Sequence, residues 1–441
     1  MVTTPRGVDR RGGQSVDRFA LAFDDGRAVA NAGLVLASTL AGRLGIEQVV
    51  DEIVDLGARP GAARPGRKLL TLVCSALVGG DSIDDAGVLR SGETQRVLGH
   101  RVMAPSTLGT FLRSFTFGHV RQLERAFEAI LARAWAAGVG PGPEPLTIDL
   151  DSTIVEVAGH AKQGACFGYT KRRGYHPLLA TRADSGEVLH ARMRKGSAQS
   201  QRGAERFVRE LLPRVRRLGA TGPLLVRADS GFWSNKTIAA LEQHGARYSI
   251  GVSQHESVRR AIEQIPEQSW QPLDGYPPEG LAEIAEGSLG ARRLIVRRTR
   301  LVGAQAELFP DWRYHAFITN RVEPLALVER DHRRHAQIEL AIRDLKEGSG
   351  LNHAPSGCFS ANAAWLLISS LAHNLARWIA RLGLGASGPV VVQTIRRRYL
   401  TLPGRITQSA RRLTLHLPAR WPWRENFTHA LARLRAIPLL A

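Results

Sequence analysis

Cysteine and long apolar runs are both scarce in this sequence. The three cysteines, Cys74, Cys166 and Cys358, lie far apart, which argues against a disulfide framework and a C-x-x-C metal site. The most hydrophobic stretches, near 69–78 and 363–371, are shorter than the roughly 18 residues that a membrane span needs. The amino-terminal stretch lacks the apolar core of a secretory signal. These absences lead us to expect a cytoplasmic protein that does not contact membranes.

Acidic residues are too few to balance the basic ones. The chain has 60 Lys and Arg against 40 Asp and Glu, which gives a net charge of +20. From Leu371 to the end there are 12 Arg and a single acidic residue, Glu425. A basic excess that is concentrated in one region favours a polyanionic partner such as DNA, although a protein that is simply cationic would have the same composition.

Changes in hydrophobic periodicity divide the chain into predicted segments. The first part has the period of helices and ends at the Gly/Pro-rich stretch "GVGPGPEPL". Its helix beginning near Ser106 and Thr107 belongs either to a helix-turn-helix or to a small helical bundle, and it is our candidate for reading a DNA groove. The predicted segments are a basic flexible tail (1–25), a helical DNA-binding domain (26–140), the first part of an α/β core (145–252), a β-rich insertion (253–320), the second part of the core with a helix over 326–347 (321–385), and an Arg-rich carboxyl-terminal segment (386–441).

The stretch "LTIDLDSTIVEV" after the Gly/Pro boundary allows two interpretations. Asp149 and Asp151, followed by Ser and Thr, fit the nucleophile motif of haloacid-dehalogenase-type phosphatases, but such enzymes need a later acidic pair, and "ADSGFWSN" contains only Asp229. Two-metal phosphodiester chemistry needs carboxylates that converge on two ions, and neighbouring strands in the predicted order βββ-α-β-α-β supply Asp151 and Asp229. Strict alternation puts Asp149 on the same face as Asp151, so Asp149 is an alternative ligand.

A third acidic residue, Glu339, lies in the predicted late helix. At 100° per residue its neighbours on one face, within roughly 80°, are all potential cations: His332, His335, Arg343 and Lys346. One carboxylate among cations indicates a metal ligand flanked by phosphate contacts. A solvated face with i,i+4 salt bridges is an alternative. So is a zinc site that uses the two histidines and Glu339, although no H-E-x-x-H motif is present.

The three acids and their surrounding motifs resemble the DDE transposases of bacterial insertion sequences. "IDLDSTIVEVAGHAKQGACFGYTKRRGYHPLLA", "LLVRADSGFWS" and "QIELAIRDLKEGSGL" look like the IS-thirteen-eighty group, a relative of the IS-four superfamily. The resemblance extends from about Asp81 to the carboxyl terminus. It implies a ribonuclease-H-like catalytic core with a β-rich insertion, which in this chain would follow an all-helical amino-terminal domain. It also implies that Asp151, Asp229 and Glu339 are catalytic and bind Mg²⁺, with Mn²⁺ as a substitute.

The superfamily signature Y-x2-R-x3-E-x6-K is only half present. Glu339 and Lys346 match it, whereas His332 and His335 replace Tyr and Arg. The resemblance implies a nucleoid-associated transposase that cleaves at the terminal inverted repeats of its element and joins the 3′ ends to target DNA, working as at least a dimer. A DNA-binding protein that has lost catalysis, or a metal-dependent phosphohydrolase, is the alternative. The residues expected to contact DNA are His332, His335, Arg343, Lys346, Lys171, Arg172 and Arg173.

Overall fold

The amino-terminal part of the protein is built mainly from helices. The computed structural model describes residues 20–168, 170–273, 280–301 and 312–439. Apolar residues recur at helical spacing, and a capping box at Thr116 begins the longest of these helices. The elements are β1 (Ala28–Val29), α1 (Leu34–Arg43), α2 (Ile46–Ile53), α3 (Pro65–Leu77), α4 (Thr94–Leu98), α5 (Pro105–Arg113) and α6 (Phe117–Ala134).

Helix α5 is the predicted groove reader. It begins at Pro105, so Ser106 and Thr107 lie within its first turn rather than ahead of it. Proline suits this position because the first turn of a helix needs no internal N–H donor. Leu108, Phe111 and Leu112 are buried against the rest of the protein.

A large mixed sheet follows the Gly/Pro boundary. This sheet has nine strands among the described residues, in the order β10-β11-β12-β13-β9-β8-β2-β6-β7. The pairs β2–β8 and β8–β9 are parallel. Strands β3, β5 and β4 form a small separate sheet, which we call the flap (155–175). The strands are β2 (Leu146–Ser152), β3 (Val155–Glu156), β4 (Cys166–Phe167), β5 (Arg173–Tyr175), β6 (Leu178–Arg182), β7 (Val188–Arg192), β8 (Leu224–Ala228), β9 (Arg247–Val252), β10 (Gln271–Pro272), β11 (Gly280–Leu289), β12 (Arg292–Leu301) and β13 (Arg313–Thr319).

The centre of this sheet has the predicted order of elements. Strands β2, β6 and β7 form an antiparallel meander, helix α7 (Ala204–Arg217) leads to β8, and helix α8 (Asn235–Gln243) leads to β9. Leu146, Ile148 and Leu150 of β2 are buried apolar residues, which explains why β2 lies inside the sheet. The central strand therefore ends, at Ser152, between an antiparallel and a parallel neighbour.

The predicted β-rich insertion continues the same sheet. After helix α9 (Glu256–Glu263), strands β11, β12 and β13 pair antiparallel in sequence, and β13 then pairs with β9. Part of the predicted insertion lies outside the described residues, at 274–279 and 302–311. The described strands thus share one continuous hydrogen-bonded sheet with the core, and the segment boundaries stay predictions.

The prediction of one unbroken helix over 326–347 is wrong. Helix α10 (Leu325–Arg333) and helix α11 (Gln337–Gly348) are separated by a 3₁₀ turn over Arg334–Ala336. A 3₁₀ turn advances by about 120° per residue instead of 100°. The predicted common face therefore does not continue from His332 on α10 to Glu339 on α11.

The carboxyl-terminal part joins the two halves of the molecule. From Ala361 to Trp378 every residue of helix α12 is buried, and the helix packs against α3, α5, α6 and the edge strand β7. No helix among the described residues is long and apolar enough to cross a membrane. The remaining elements are α12 (Phe359–Trp378), α13 (Val392–Ile395), β14 (Gly404–Ser409), β15 (Arg412–His416) and α14 (Arg424–Ala436).

One apolar core extends through these parts. Its buried members run from Leu34 of α1 to Leu434 of α14 and include the faces of the central sheet. Strand β1 pairs with β14, and α1 packs against α14, so the two ends of the described chain meet. The amino-terminal helices consequently share their core with the rest of the chain.

Asn374 attaches α12 to the edge of the sheet. Its Oδ1 accepts from the backbone N–H of Val188 and its Nδ2 donates to the same residue's carbonyl, both at 2.8 Å. Asn374→Leu keeps the side-chain size but leaves two buried backbone groups without partners, so we expect the free energy of unfolding to fall by about 2–4 kcal/mol. Urea denaturation followed by circular dichroism measures this change. Asn352→Leu, at an exposed position, is the control, and equal losses in both variants would contradict the prediction.

Candidate active site

Asp151 and Asp229 lie at the carboxyl ends of two parallel strands. The register pairs Leu150 of β2 with Ala228 of β8, and the residue that follows each of them is an aspartate. Ser152 N–H donates to Oδ1 of Asp151 at 2.6 Å, and Gly231 N–H donates to Oδ1 of Asp229 at 3.0 Å. Each carboxylate is therefore oriented by a backbone donor at or just beyond the end of its own strand.

Glu339 is close enough to Asp151 to affect its pKa electrostatically. Burial raises the pKa of Asp151 to about 6, opposed by the Ser152 hydrogen bond and by His335, while the charges of Asp229 and Glu339 raise it further. Burial also raises the pKa of Asp229. Glu339 is exposed in the first turn of α11. Asp151 thus lies near acids from two distant parts of the sequence, where a cation would stabilise its charged form.

The structure brings another set of possible metal ligands together at the edge strand β7. Among the described residues, the group of three whose ligand atoms lie within 4.8 Å of one another is a different one, namely Glu124, His190 and Glu210. Carboxylates that share two ions roughly 3.5–4 Å apart do not need such close mutual spacing. Carboxylate oxygens are also the ligands that Mg²⁺ prefers.

The group of Glu124, His190 and Glu210 is an ion-pair network. Arg192 donates to Glu124 at 3.1 Å and to Glu210 at 2.6 Å, and Arg121 also pairs with both carboxylates. The negative charge that would attract a metal ion is thus already neutralised by guanidinium groups. We interpret this group as a structural connection between α6, β7 and α7.

Asp149, which the sequence suggested as an alternative metal ligand, is paired with Arg227 in the structure. Its side chain is fully buried, and its two oxygens accept from Arg227 Nε at 2.6 Å and Nη2 at 2.8 Å. His335 Nδ1 lies 3.0 Å from Oδ1 of Asp149. Asp149 does share a face with Asp151, since His335 contacts the first and lowers the pKa of the second, but its oxygens are already engaged.

The expectation that His332 contacts DNA is wrong, because its ring is enclosed in the core. The residue is 6% exposed, its Nδ1 is hydrogen-bonded to Ser249 Oγ at 2.7 Å, and its ring stacks on Phe317 at a centroid distance of 4.0 Å. Burial holds its pKa well below the usual range. The zinc alternative loses support as well, since His332 and His335 are bonded to Ser249 and Asp149.

The predicted cations lie on two sides of α11. Lys346 is half-buried near the flap. Its pKa is lowered, mainly by burial; the charge of Arg172 adds to this effect and the charge of Glu156 opposes it. Arg343 is exposed and lines a groove on the other side of α11, beside Asp184. Of these two cations on α11, Lys346 is therefore the one on the side of the flap.

The flap carries the three other predicted DNA contacts. Lys171 and Arg172 are exposed, and Arg172 pairs with Glu156. Arg173 is partly exposed and donates to the carbonyl groups of Gly159 and His160, so it holds the flap together. Two of the three thus present their charge to solvent.

Two residues of the site escaped sequence reasoning. Arg227 stands two residues before Asp229, as Asp149 stands two before Asp151, and this parallel spacing could have indicated the pair. Ser200 lies against the site, with its Oγ 3.1 Å from Ser152 Oγ, but its loop has no recognisable motif.

Comparison with known proteins shows similarity to a protein family and to a solved structure. The model of the family described as "Transposase DDE domain group 1" matches residues 13–439. A cryo-EM structure of the piggyBac transposase synaptic complex with hairpin DNA is similar with a TM-score of 0.48 and 11% identity, covering 84% of this chain and 79% of that chain. No curated protein matches the sequence at a significant level.

The raised pKa of Asp151 predicts a pH-dependent cost to stability. Its folded pKa is about 6, against roughly 3.9 in an unfolded chain, so its contribution to stability falls as pH rises through this window. Without divalent metal, Asp151→Asn should raise the free energy of unfolding on the order of 1–3 kcal/mol at pH 7.5, and much less near pH 4. Denaturation in EDTA at both pH values measures this. The exposed Asp84→Asn is the control, and a gain equal at both pH values would contradict the prediction.

Proposed function

This chain belongs to the family of DDE transposases, and we propose that it is a Mg²⁺-dependent DNA transposase that cleaves at insertion-sequence ends and joins the 3′ ends to target DNA. The proposal is supported by the strand register, which brings Asp151 and Asp229 to the ends of neighbouring parallel strands, and by the charge of Glu339, which is close enough to raise the pKa of Asp151. This is the donor set that two-metal phosphodiester chemistry requires.

The topology supports a ribonuclease-H-like core. The strand order β7-β6-β2-β8-β9 combines an antiparallel meander with two parallel strands, and helices connect the latter. Together with the three motifs quoted above, this order favours the IS-thirteen-eighty group of bacterial insertion-sequence transposases. We assign β10 to β13 to the β-rich insertion that the resemblance implies; in this chain these strands extend the core sheet.

The three carboxylates would hold the metal, with Mn²⁺ able to replace Mg²⁺. When bound, the ions supply Lewis acidity at the attacking and leaving oxygens. The backbone donors of Ser152 and Gly231 orient two of the ligands before any ion arrives. Burial makes ionised Asp151 costly, so ion binding and ionisation should favour each other.

DNA would approach along the cationic side of this site. Lys346 lies on the same helix as Glu339, while Lys171 and Arg172 extend the positive surface onto the flap. Arg343 would contact DNA only where the duplex crosses the groove on the other side of α11. Phosphate contacts of this kind fix the position of a duplex without reading its sequence.

Recognition of the terminal repeats is assigned to the amino-terminal helices. Ser106, Thr110 and Arg113 of α5 line an open groove with Asp84 and His353. These side chains can donate to and accept from base edges. The exposed arginines of the carboxyl-terminal segment would add sequence-independent grip, and pairing two element ends implies at least a homodimer on DNA.

Strand cleavage tests the proposal. Asp151→Asn, Asp229→Asn and Glu339→Gln should each abolish Mg²⁺-dependent nicking of DNA that carries the element's inverted repeats, while gel retardation of the same DNA persists, because the carboxylates bind metal rather than phosphate. Glu347→Gln, two turns farther along α11, is the matched control and should cleave normally.

Other outcomes of this assay favour other functions. A wild-type protein that retards the DNA but never nicks it with Mg²⁺ or Mn²⁺ would be a DNA-binding protein without catalysis. Hydrolysis of a small phosphate ester without DNA cleavage would favour a phosphohydrolase.

Lys346→Ala tests the assigned phosphate contact. Removing one contact should weaken binding to a repeat-end duplex and reduce the slope of log K against log salt by roughly one unit. Fluorescence anisotropy at several salt concentrations measures the slope. Arg209→Ala is the control, since Arg209 pairs within α7 with Glu205. An unchanged slope in Lys346→Ala would show that this residue does not contact phosphate.

A further inference from the structure

A buried polar network lies directly beneath the proposed metal ligands. Asp149 and Arg227 face each other in the parallel register of β2 and β8, each two residues before a proposed ligand. They are 0% and 3% exposed. Two hydrogen bonds join the carboxylate to the guanidinium in a side-by-side arrangement that fixes both groups. The strands that carry Asp151 and Asp229 are thus connected by side chains as well as by backbone.

The same network holds the break between α10 and α11. His335, in the 3₁₀ turn, is hydrogen-bonded through Nδ1 to Asp149, and Arg227 Nη1 donates to the carbonyl of Asp331 in α10. The bond to His335 lies four residues before Glu339, which is in the first turn of α11. Asp149 therefore accepts from a neighbouring strand and from the turn that leads to the third acid.

We propose that His335 is a positioning residue, which uses Asp149 and Arg227 to set Glu339 relative to Asp151 and Asp229. This inference rests on the proposed function, because it takes the three acids as the metal ligands. It gives His335 a role other than the DNA contact expected from the signature, in which Arg is usual at this position. A hydrogen bond to buried Asp149 leaves Nδ1 facing the sheet instead of a phosphate.

Geometry explains why one hydrogen bond matters here. Asp151 and Asp229 are each held by a backbone donor, whereas Glu339 is an exposed side chain whose placement follows that of α11. The turn over Arg334–Ala336 is short, and short 3₁₀ turns are weakly stabilised by their own hydrogen bonds. A contact from this turn to a fully buried residue therefore fixes the start of α11.

Two substitutions separate positioning from simple stability. His335→Ala removes the donor, whereas His335→Asn can place an amide donor where Nδ1 stands. In His335→Ala we expect the Mn²⁺ concentration for half-maximal cleavage to rise about tenfold or more, with lower kcat and unchanged KM for DNA. His335→Asn should restore most of the metal affinity. His244→Ala, at a partly exposed position just after α8, is the control.

A measurement without metal or DNA tests the same contact. Hydrogen exchange at the amides of residues 334–341 should accelerate in His335→Ala relative to wild type, and the amides of β2 should stay protected. His335→Asn should exchange like wild type. This readout also shows whether the variant remains folded.

Different failures point to different errors. If wild-type protein cleaves but His335→Ala keeps normal metal dependence and exchange, the positioning role is wrong and the proposed function stands. If KM for DNA rises while metal affinity and exchange are unchanged, His335 contacts DNA after all. If wild-type protein never cleaves, the proposed function fails. Calorimetric Mn²⁺ binding and hydrogen exchange, compared between wild type and His335→Ala, then still decide the positioning role.

Discussion

The parallel pairing of β2 with β8 is the constraint on which the site depends. One register places two pairs of side chains at successive levels: the buried ion pair of Asp149 with Arg227, and above it Asp151 beside Asp229. Because successive side chains alternate across a sheet, a slip of one residue would turn Asp151 away and leave Asp149 buried without its partner. Leaving a buried charge unpaired is costly, so the lower pair selects the register that brings the upper pair together.

The two levels meet opposite electrostatic requirements. Asp149 is stabilised as an ion by a guanidinium and by the ring of His335, so its charge is satisfied within the protein. The ionised form of Asp151 is unfavourable instead, since burial and two neighbouring acids raise its pKa to about 6. The ion pair of Asp149 thus has a structural role, whereas a bound cation would stabilise the ionised form of Asp151. The same D-x-D motif therefore divides its aspartates between these two tasks.

Local patterns predicted the sheet centre but not the contacts around it. The order of strands and helices follows from periodicity, and the motifs predict Asp151, Asp229 and Glu339 as the site residues. The burial of His332 was missed because a helical wheel assumes an unbroken helix, and the turn at Arg334–Ala336 breaks it. The pairing of Asp149 with Arg227 depends on strand register, which separate motifs do not contain. The joining of β13 to β9 is likewise a tertiary choice.

The two histidines that depart from the superfamily signature can be understood from this arrangement. His332 fills a core position against Phe317, and His335 is bonded to Asp149, so neither presents a cation to solvent as Arg would. Positive charge for a phosphate backbone must then come from elsewhere near the acids. Lys346 and the flap residues Lys171 and Arg172 have that placement. The departure from the signature therefore moves the expected phosphate contacts toward the flap and leaves the three acids in place.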